Sequence, residues 1–259
     1  TGGIDLSVGS TVALINALAA ISLQAGLPWP LVIVAMLATG ALIGVVQGWF
    51  IAYEGIPAFI VTLAGLSILR GIALLLTQGF SIPIDPASPF VQLGRGWFLG
   101  VPLPAIIGLV LAVAGWLALT RMRFGRYVTA IGANTEAARR AGIATRRTTQ
   151  TAYVLTGMAA ATAGLIIAAR LGSGSSNAAV AFELEVIAAV VLGGTALMGG
   201  RGTIVGTVLG ALTIGVIGNG LILAHVSPFF TQIVTGLIIL AAIWLNTRIF
   251  ARLGQRSGR

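Results

Sequence analysis

The stretch Thr120–Gln150, TRMRFGRYVTAIGANTEAARRAGIATRRTTQ, decides how the rest of the chain is read. The sequence on either side is apolar. Here it turns polar, and seven of the chain's 15 basic residues fall inside it: Arg121, Arg123, Arg126, Arg139, Arg140, Arg146 and Arg147. A basic loop between long apolar runs marks the cytosolic side of a polytopic membrane protein. Within the loop, Asn134 to Gly142 carries the pattern of one short helix. Asn134 is a favoured N-cap, and Glu136 stands in the first turn. Arg139 and Arg140 stand in the last turn, where they suit the helix dipole, and Gly142 is a natural C′ residue. An isolated helix shorter than about 12 residues is marginal in water. This one must therefore be held by its own bundle, by the headgroup layer or by a partner.

Composition sets the frame. Of 259 residues, 57% are hydrophobic and 8% charged, against about 25% charged in a soluble domain. Too little polar surface exists to cover a water-soluble globule. The net charge of +9 does not point to nucleic acid, because the arginines cluster at membrane boundaries and no basic face with interleaved aromatics occurs. There is no Cys and one His, His225, which excludes thiol chemistry and a His-rich metal site; no metal site is expected. With no Lys anywhere, a P-loop cannot be built, so the chain is no P-loop ATPase. GxSxG, HExxH and paired intramembrane carboxylates are absent as well, and no enzyme is expected. The chain opens at Thr1 without a Met or a charged leader and reads as one lacking upstream sequence.

Spanning a bilayer as a helix takes about 20 apolar residues. Eight runs are predicted to span: Leu6–Gln24, Trp29–Tyr53, Pro57–Thr77, Pro102–Thr120, Thr149–Ala169, Leu184–Met198, Thr203–Leu223 and Pro228–Asn246. The sixth is short and flanked by glycines, as a broken or tilted helix would be. The runs are continuous rather than alternating, which argues against a β-barrel. The expected fold is an all-α polytopic helix bundle, one transmembrane domain over residues 1–259, with a cytosolic loop at about 120–150. Alternating outward from that loop places twelve arginines inside, including Arg201, Arg248, Arg252, Arg256 and Arg259, and only Arg95 and Arg170 outside. Both ends of the chain are then cytosolic. Gly40, Gly44 and Gly48, and again Gly202, Gly206 and Gly210, form stripes along which helix backbones can approach closely.

Polar groups at membrane depth are the candidates for function. Thr1–Ser10, TGGIDLSVGS, places Asp5 and two Ser among three Gly; Asp5 either caps the first helix or lines a cavity, and both can hold. Arg70 lies within the third span, where it snorkels outward, pairs with an acid or lines the path. Asn16, Gln47, Thr62, Gln78 and Asn219 are uncharged polar groups in spans, fit for interhelical hydrogen bonds or for ligand hydroxyls. Phe59 and Trp49 offer rings for packing or for stacking on a sugar. Glu183 and Glu185 precede the sixth span, as a solvated helix start or as a docking point for a soluble donor protein.

Several stretches together resemble the permease subunits of bacterial monosaccharide ABC importers of the ribose/xylose/galactose type, within the branched-chain amino acid/ribose permease superfamily. They are Gly3–Ser10, Pro57–Leu63 with Leu69-Arg-Gly71, Gly125–Gly132, Asn134 through Gly142-Ile143, Glu183–Gly194 and Gly199-Gly-Arg-Gly202. The resemblance runs in order over essentially the whole chain. It implies about ten spans in full members, two of them ahead of the GIDLSVGS-like stretch, so this chain is expected to lack about two N-terminal helices. It implies a bacterial inner-membrane location and a path for a monosaccharide, a ribose-like pentose or a hexose. The implied partners are a separate ABC ATPase that holds the ATP and Mg, a second permease copy or paralogue, and a periplasmic sugar-binding protein. It also makes Asn134, Thr135, Glu136, Ala137, Ala138, Arg139, Arg140 and Gly142 the coupling helix that docks on the ATPase. The expected translocation path is Asp5, Ser7, Asn16, Phe59, Thr62 and Asn219, with Arg70 as an intramembrane charge and Glu183 and Glu185 as contacts for the binding protein. A branched-chain amino-acid permease of the same superfamily is the close alternative. Its zwitterionic substrate would need a charge-pairing site, for which only Asp5 and Arg70 are available. A secondary transporter would need several intramembrane acids or an unwound inverted pair.

Overall fold

A helix that is apolar on all sides belongs in the middle of a bundle. The first helix of the computed structural model, α1 (Val8–Gln24), is of this kind: Val12, Ala13, Ile15, Asn16, Ala17, Ala19 and Ala20 are fully buried. The structure describes residues 1–225 and, beyond them, residues 230, 233, 234, 236–238, 240, 241 and 244. After α1 come α2 (Trp29–Ala52), α3 (Ala58–Thr77), α4 (Gln92–Arg95), α5 (Leu103–Thr120), α6 (Arg123–Ala133), α7 (Thr135–Arg140), α8 (Thr145–Leu171), α9 (Phe182–Leu192) and α10 (Ile204–Leu223). Two small ribbons complete the set. β1 (Ile82–Pro83) pairs antiparallel with β4 (Ser173–Gly174), and β2 (Trp97–Phe98) with β3 (Val101–Pro102). The protein is a polytopic membrane helix bundle.

The chain clusters into two compact units, each built from separate segments. The larger comprises Gly3–Leu111 and Arg139–Glu183. In it α1, α2 and α8 pack around a core that includes Ile15, Val32, Met36, Phe90 and Leu165, and α3 packs on α1 through Leu14, Leu69 and Ala73. The expected glycine stripe lies at the crossing of α2 and α8. A Cβ on Gly40 would strike the Gly157 carbonyl, and one on Gly44 the Tyr153 carbonyl. One on Gly48 would stand 3.0 Å from the Gln150 Cα. Only hydrogen fits there, so the two backbones touch. Pro28 and Pro57 hold the extended residues that precede α2 and α3. After α3, Ser88 caps a 3-10 turn (Pro89–Val91) that drives Phe90 fully into the core.

The smaller unit comprises Thr1–Gly2, Ala112–Ala138 and Leu184–Arg259. Here the second glycine stripe packs α10 on α9: a Cβ on Gly206 would strike the Gly193 carbonyl, and one on Gly210 the Ala189 carbonyl. The turn at Gly199–Gly200 presses on the end of α6, where a Cβ on Gly132 would strike the Gly200 amide.

Five described helices are long and apolar enough to cross a membrane: α2, α3, α5, α8 and α10. They match five expected spans to within a few residues. α5 buries none of its residues and α10 only Gly210, so both keep apolar faces unburied within this chain. Two expected spans are shorter than predicted. α1 has 17 residues, and α9 has 11 before the chain breaks at Gly193 and Gly194. Of the eighth, Pro228–Asn246, only residues 230, 233, 234, 236–238, 240, 241 and 244 are described, and the Arg248–Arg259 tail lies outside the described residues.

Candidate functional site

The segment before α1 enters the larger unit as irregular backbone, and its polar groups are satisfied by one another. Asp5 Oδ1 accepts the Ser7 backbone N–H at 2.8 Å and the Ser7 hydroxyl at 2.7 Å. The Ser7 Oγ in turn accepts from Gln47 Nε2 of α2 at 2.9 Å. On α3, Thr62 donates to the Ala58 carbonyl at 2.9 Å and reaches the Ile4 carbonyl at 3.2 Å. Gly65 leaves the room that Gln47 occupies, since a Cβ there would strike its amide. Asp5 therefore fixes the entry into α1. Asp5, Ser7 and Thr62 do come together, joined through Gln47 and the Ile4 carbonyl. Tyr153 of α8 completes this corner: its buried hydroxyl lies against Gly3 and has no hydrogen-bond partner.

The other expected path residues lie elsewhere. Asn16 is fully buried one side of α1 further along, where its Oδ1 accepts the Ser175 N–H and its Nδ2 has no partner. Phe59 is 54% exposed on α3. Asn219 is exposed on α10, within the smaller unit.

Arg70 has a different partner from any expected. Its hydrogen bonds go to backbone carbonyls, and the charge of Glu183 lies near enough to act on it. Its Nη1 donates to the carbonyls of Ser176 at 2.6 Å and Ala178 at 2.8 Å, and its Nη2 to that of Ala179 at 3.4 Å. Thr77 adds a hydrogen bond to the Ser176 hydroxyl at 2.9 Å. The segment between α8 and α9 is thus strapped to α1 by Asn16 and to α3 by Arg70 and Thr77. Within it Ala179 and Ala181 adopt left-handed backbone, φ 54° and 61°, which a non-glycine residue rarely does. Glu183 and Glu185 part company here. Glu183 turns inward, with its Oε2 buried against Gly9 and without a hydrogen bond, whereas Glu185 is exposed.

In the basic loop the short helix is present as α7. Asn134 is extended, φ −162° and ψ 104°, and its Oδ1 accepts the Ala137 N–H at 2.9 Å, the N-cap bond that its position called for. Gly142 follows with φ +83°. Thr135, Glu136, Ala137, Arg139 and Arg140 are exposed, and Ala138 alone is buried. Beyond α7, a cleft lined by Tyr53, Arg139 and Ile143–Arg147 opens in the larger unit, with the Arg146 guanidinium 5.9 Å from the Tyr53 ring centroid. The loop also holds a second helix that the sequence reading missed. α6 was legible in Phe124, Val128 and Ile131, an apolar i, i+4, i+7 row set against Arg123, Arg126 and Tyr127. Among the described residues, no cluster of three or more His, Asp or Glu is placed to hold a metal ion.

The profile of the family described as branched-chain amino acid transport system / permease component matches residues 1–243. The chain is 42% identical over 245 residues to the ribose import permease protein RbsC of Haemophilus influenzae, covering 93% of this chain and 76% of that protein. It is 43% identical over 249 residues to RbsC of Bacillus subtilis, covering 96% and 77%. To the xylose transport system permease protein XylH of Escherichia coli it is 35% identical over 305 residues, covering 94% and 78%. No solved structure matches the chain.

Proposed function

From the premise that this chain belongs to the branched-chain amino acid transport system / permease component family, we propose that it forms the membrane path of an ABC importer for a monosaccharide, ribose-like or a hexose. It is a transport subunit and not an enzyme; ATP and Mg are bound by a separate ATPase. Likeness to ribose and xylose permeases over more than nine-tenths of the chain carries this reading. The branched-chain amino-acid alternative is not favoured. A zwitterion would need a free charge pair, yet Arg70 is engaged by backbone carbonyls and Asp5 by Ser7.

The working unit in this reading is two permease copies, identical or paralogous, with two ATPases below and a periplasmic binding protein above. The arginine bias puts the Thr120–Gln150 loop, and with eight spans both ends of the chain, in the cytosol of a bacterial inner membrane. α7 is the coupling helix: an exposed, capped, six-residue helix whose charged face, Glu136, Arg139 and Arg140, seats in a groove of the ATPase. ATP binding closes the ATPase pair and pulls on α7. The pull reaches α6, whose last turn is wedged against the Gly199–Gly200 turn, and α8, which lies backbone to backbone on α2. Rigid, glycine-packed contacts pass on a displacement that side chains would absorb. Affinity for the sugar resides in the binding protein, so a path with few charges suffices.

The absence of native Cys allows a direct test. Ala141 is exposed just beyond α7. An Ala141→Cys variant is expected to react with a membrane-impermeant maleimide only from the cytosolic face, and the bound ATPase is expected to protect it. Labelling from the outer face, or no protection, contradicts the assignment.

A further inference from the structure

The segment Ser175–Glu183 combines two faults that mend each other. Glu183 Oε2 is buried and accepts no hydrogen bond, although a carboxylate oxygen withdrawn from water needs a donor. Ala179 and Ala181 hold left-handed backbone that a free segment would leave. Arg70 grips the same segment, its guanidinium donating to the Ser176, Ala178 and Ala179 carbonyls. The unpaired acceptor is close to the occupied ones. A Cβ placed on Gly9 would lie 2.8 Å from the Ala179 carbonyl oxygen and would strike Glu183 Oε2 as well. The carbonyl that Arg70 holds and the carboxylate it does not hold therefore line the same small space beside α1. Only glycine at position 9 leaves that space open.

We propose that Arg70 is a two-position switch: it grips the 176–179 backbone in the arrangement seen here, and during the transport cycle it passes to the Glu183 carboxylate and releases that segment. This deepens the importer reading and rests on it. The exchange is close to balanced. Three bonds to neutral carbonyls give way to one charge-assisted pair, and the two alanines relax. The near end of the segment stays fixed in both positions, since Asn16 holds the Ser175 amide and Thr77 the Ser176 hydroxyl. Residues 177–183 are the moving part, and Glu183 is the last residue of the larger unit. A two-acceptor arginine gives discrete states, which an alternating-access cycle requires.

The test uses spin labels on Ala87→Cys and Val180→Cys, both exposed in the larger unit of a chain without native Cys. The assembled importer is reconstituted in vesicles, and the label separation is measured with and without ATP and vanadate. Wild type is expected to show one distance without nucleotide and a second one with it. Glu183→Gln, matching wild type in thermal stability, is expected to keep the first distance and lose the second, with ATP-driven uptake down about tenfold or more. Glu183→Asp keeps the charge and is expected to fall between. A second distance that persists in Glu183→Gln overturns the switch. So does a wild type that takes up ribose with ATP while the distance never changes. A wild type that takes up no sugar overturns the importer reading itself, and this is seen before any variant is made.

Discussion

Gly157→Leu is expected to prevent the protein from accumulating as a folded species. Gly157 stands where α8 crosses α2. A Cβ there would strike the Gly40 carbonyl oxygen and lie 3.0 Å from the Gly40 carbonyl carbon and 3.2 Å from the Gly44 amide. All of these atoms are backbone, so no side chain can swing aside. The partner surface is equally bare: Gly40 would in turn meet Ala161 Cβ at 2.6 Å. Overpacking typically costs about 1–3 kcal/mol where neighbours can repack, and more where they cannot. Between two long helices in lipid, relief requires separating the axes and losing close packing along the whole crossing, and such packing is what holds membrane helices together. A loss of more than about 3 kcal/mol is therefore expected, read as a collapse in yield and thermal stability in detergent. Gly71→Ala is the control. It lies on α3 with no atom within 4 Å of its would-be Cβ, and its stability should match wild type.

The second large effect concerns α7. Glu136→Gln combined with Arg140→Gln is expected to leave the permease folded and to lower ATP-driven uptake at least about tenfold, equivalent to about 1.4 kcal/mol of lost coupling. Both residues are exposed, both replacements are good helix formers, and the Asn134 cap and Ala138 seat are untouched. Removing favourable end charges costs the helix only about 0.3–1 kcal/mol each at the surface. Uptake should therefore fall through lost engagement of the ATPase rather than through unfolding. The same charge change at a different place separates the two readings of the loop. Arg123→Gln with Arg126→Gln, on α6, removes charge that only holds the loop in the cytosol, and uptake should stay within about twofold of wild type. Equal losses for both pairs would make the loop's charge, and not α7, the thing that matters.

What was legible in the sequence follows from which interactions are local. Hydropathy runs located α2, α3, α5, α8 and α10, because burial in lipid needs only length and composition. The cap at Asn134 and the left-handed Gly142 were legible because both are made within one turn of chain. The glycine stripes announced close approach but not the partner: that Gly40 and Gly44 meet Gly157 and Tyr153 is decided by topology. The apolar row of α6, Phe124, Val128 and Ile131, is masked in the sequence by the interleaved Arg123 and Arg126. Least legible were the long-range polar bonds. Arg70 reaches carbonyls more than a hundred residues away, and backbone carbonyls carry no residue-type signal. Glu183 looked like a solvated helix start, and only the packing of the 175–183 segment along α1 turned it inward.

The most direct test of the account is sugar transport itself. The permease, its ATPase and the periplasmic binding protein are reconstituted in vesicles, and entry of labelled ribose and xylose is followed with and without ATP. Uptake that needs all three components and ATP, and that excess leucine or valine leaves unchanged, is the predicted result. Uptake that proceeds without the ATPase, or that carries leucine in place of sugar, would contradict it.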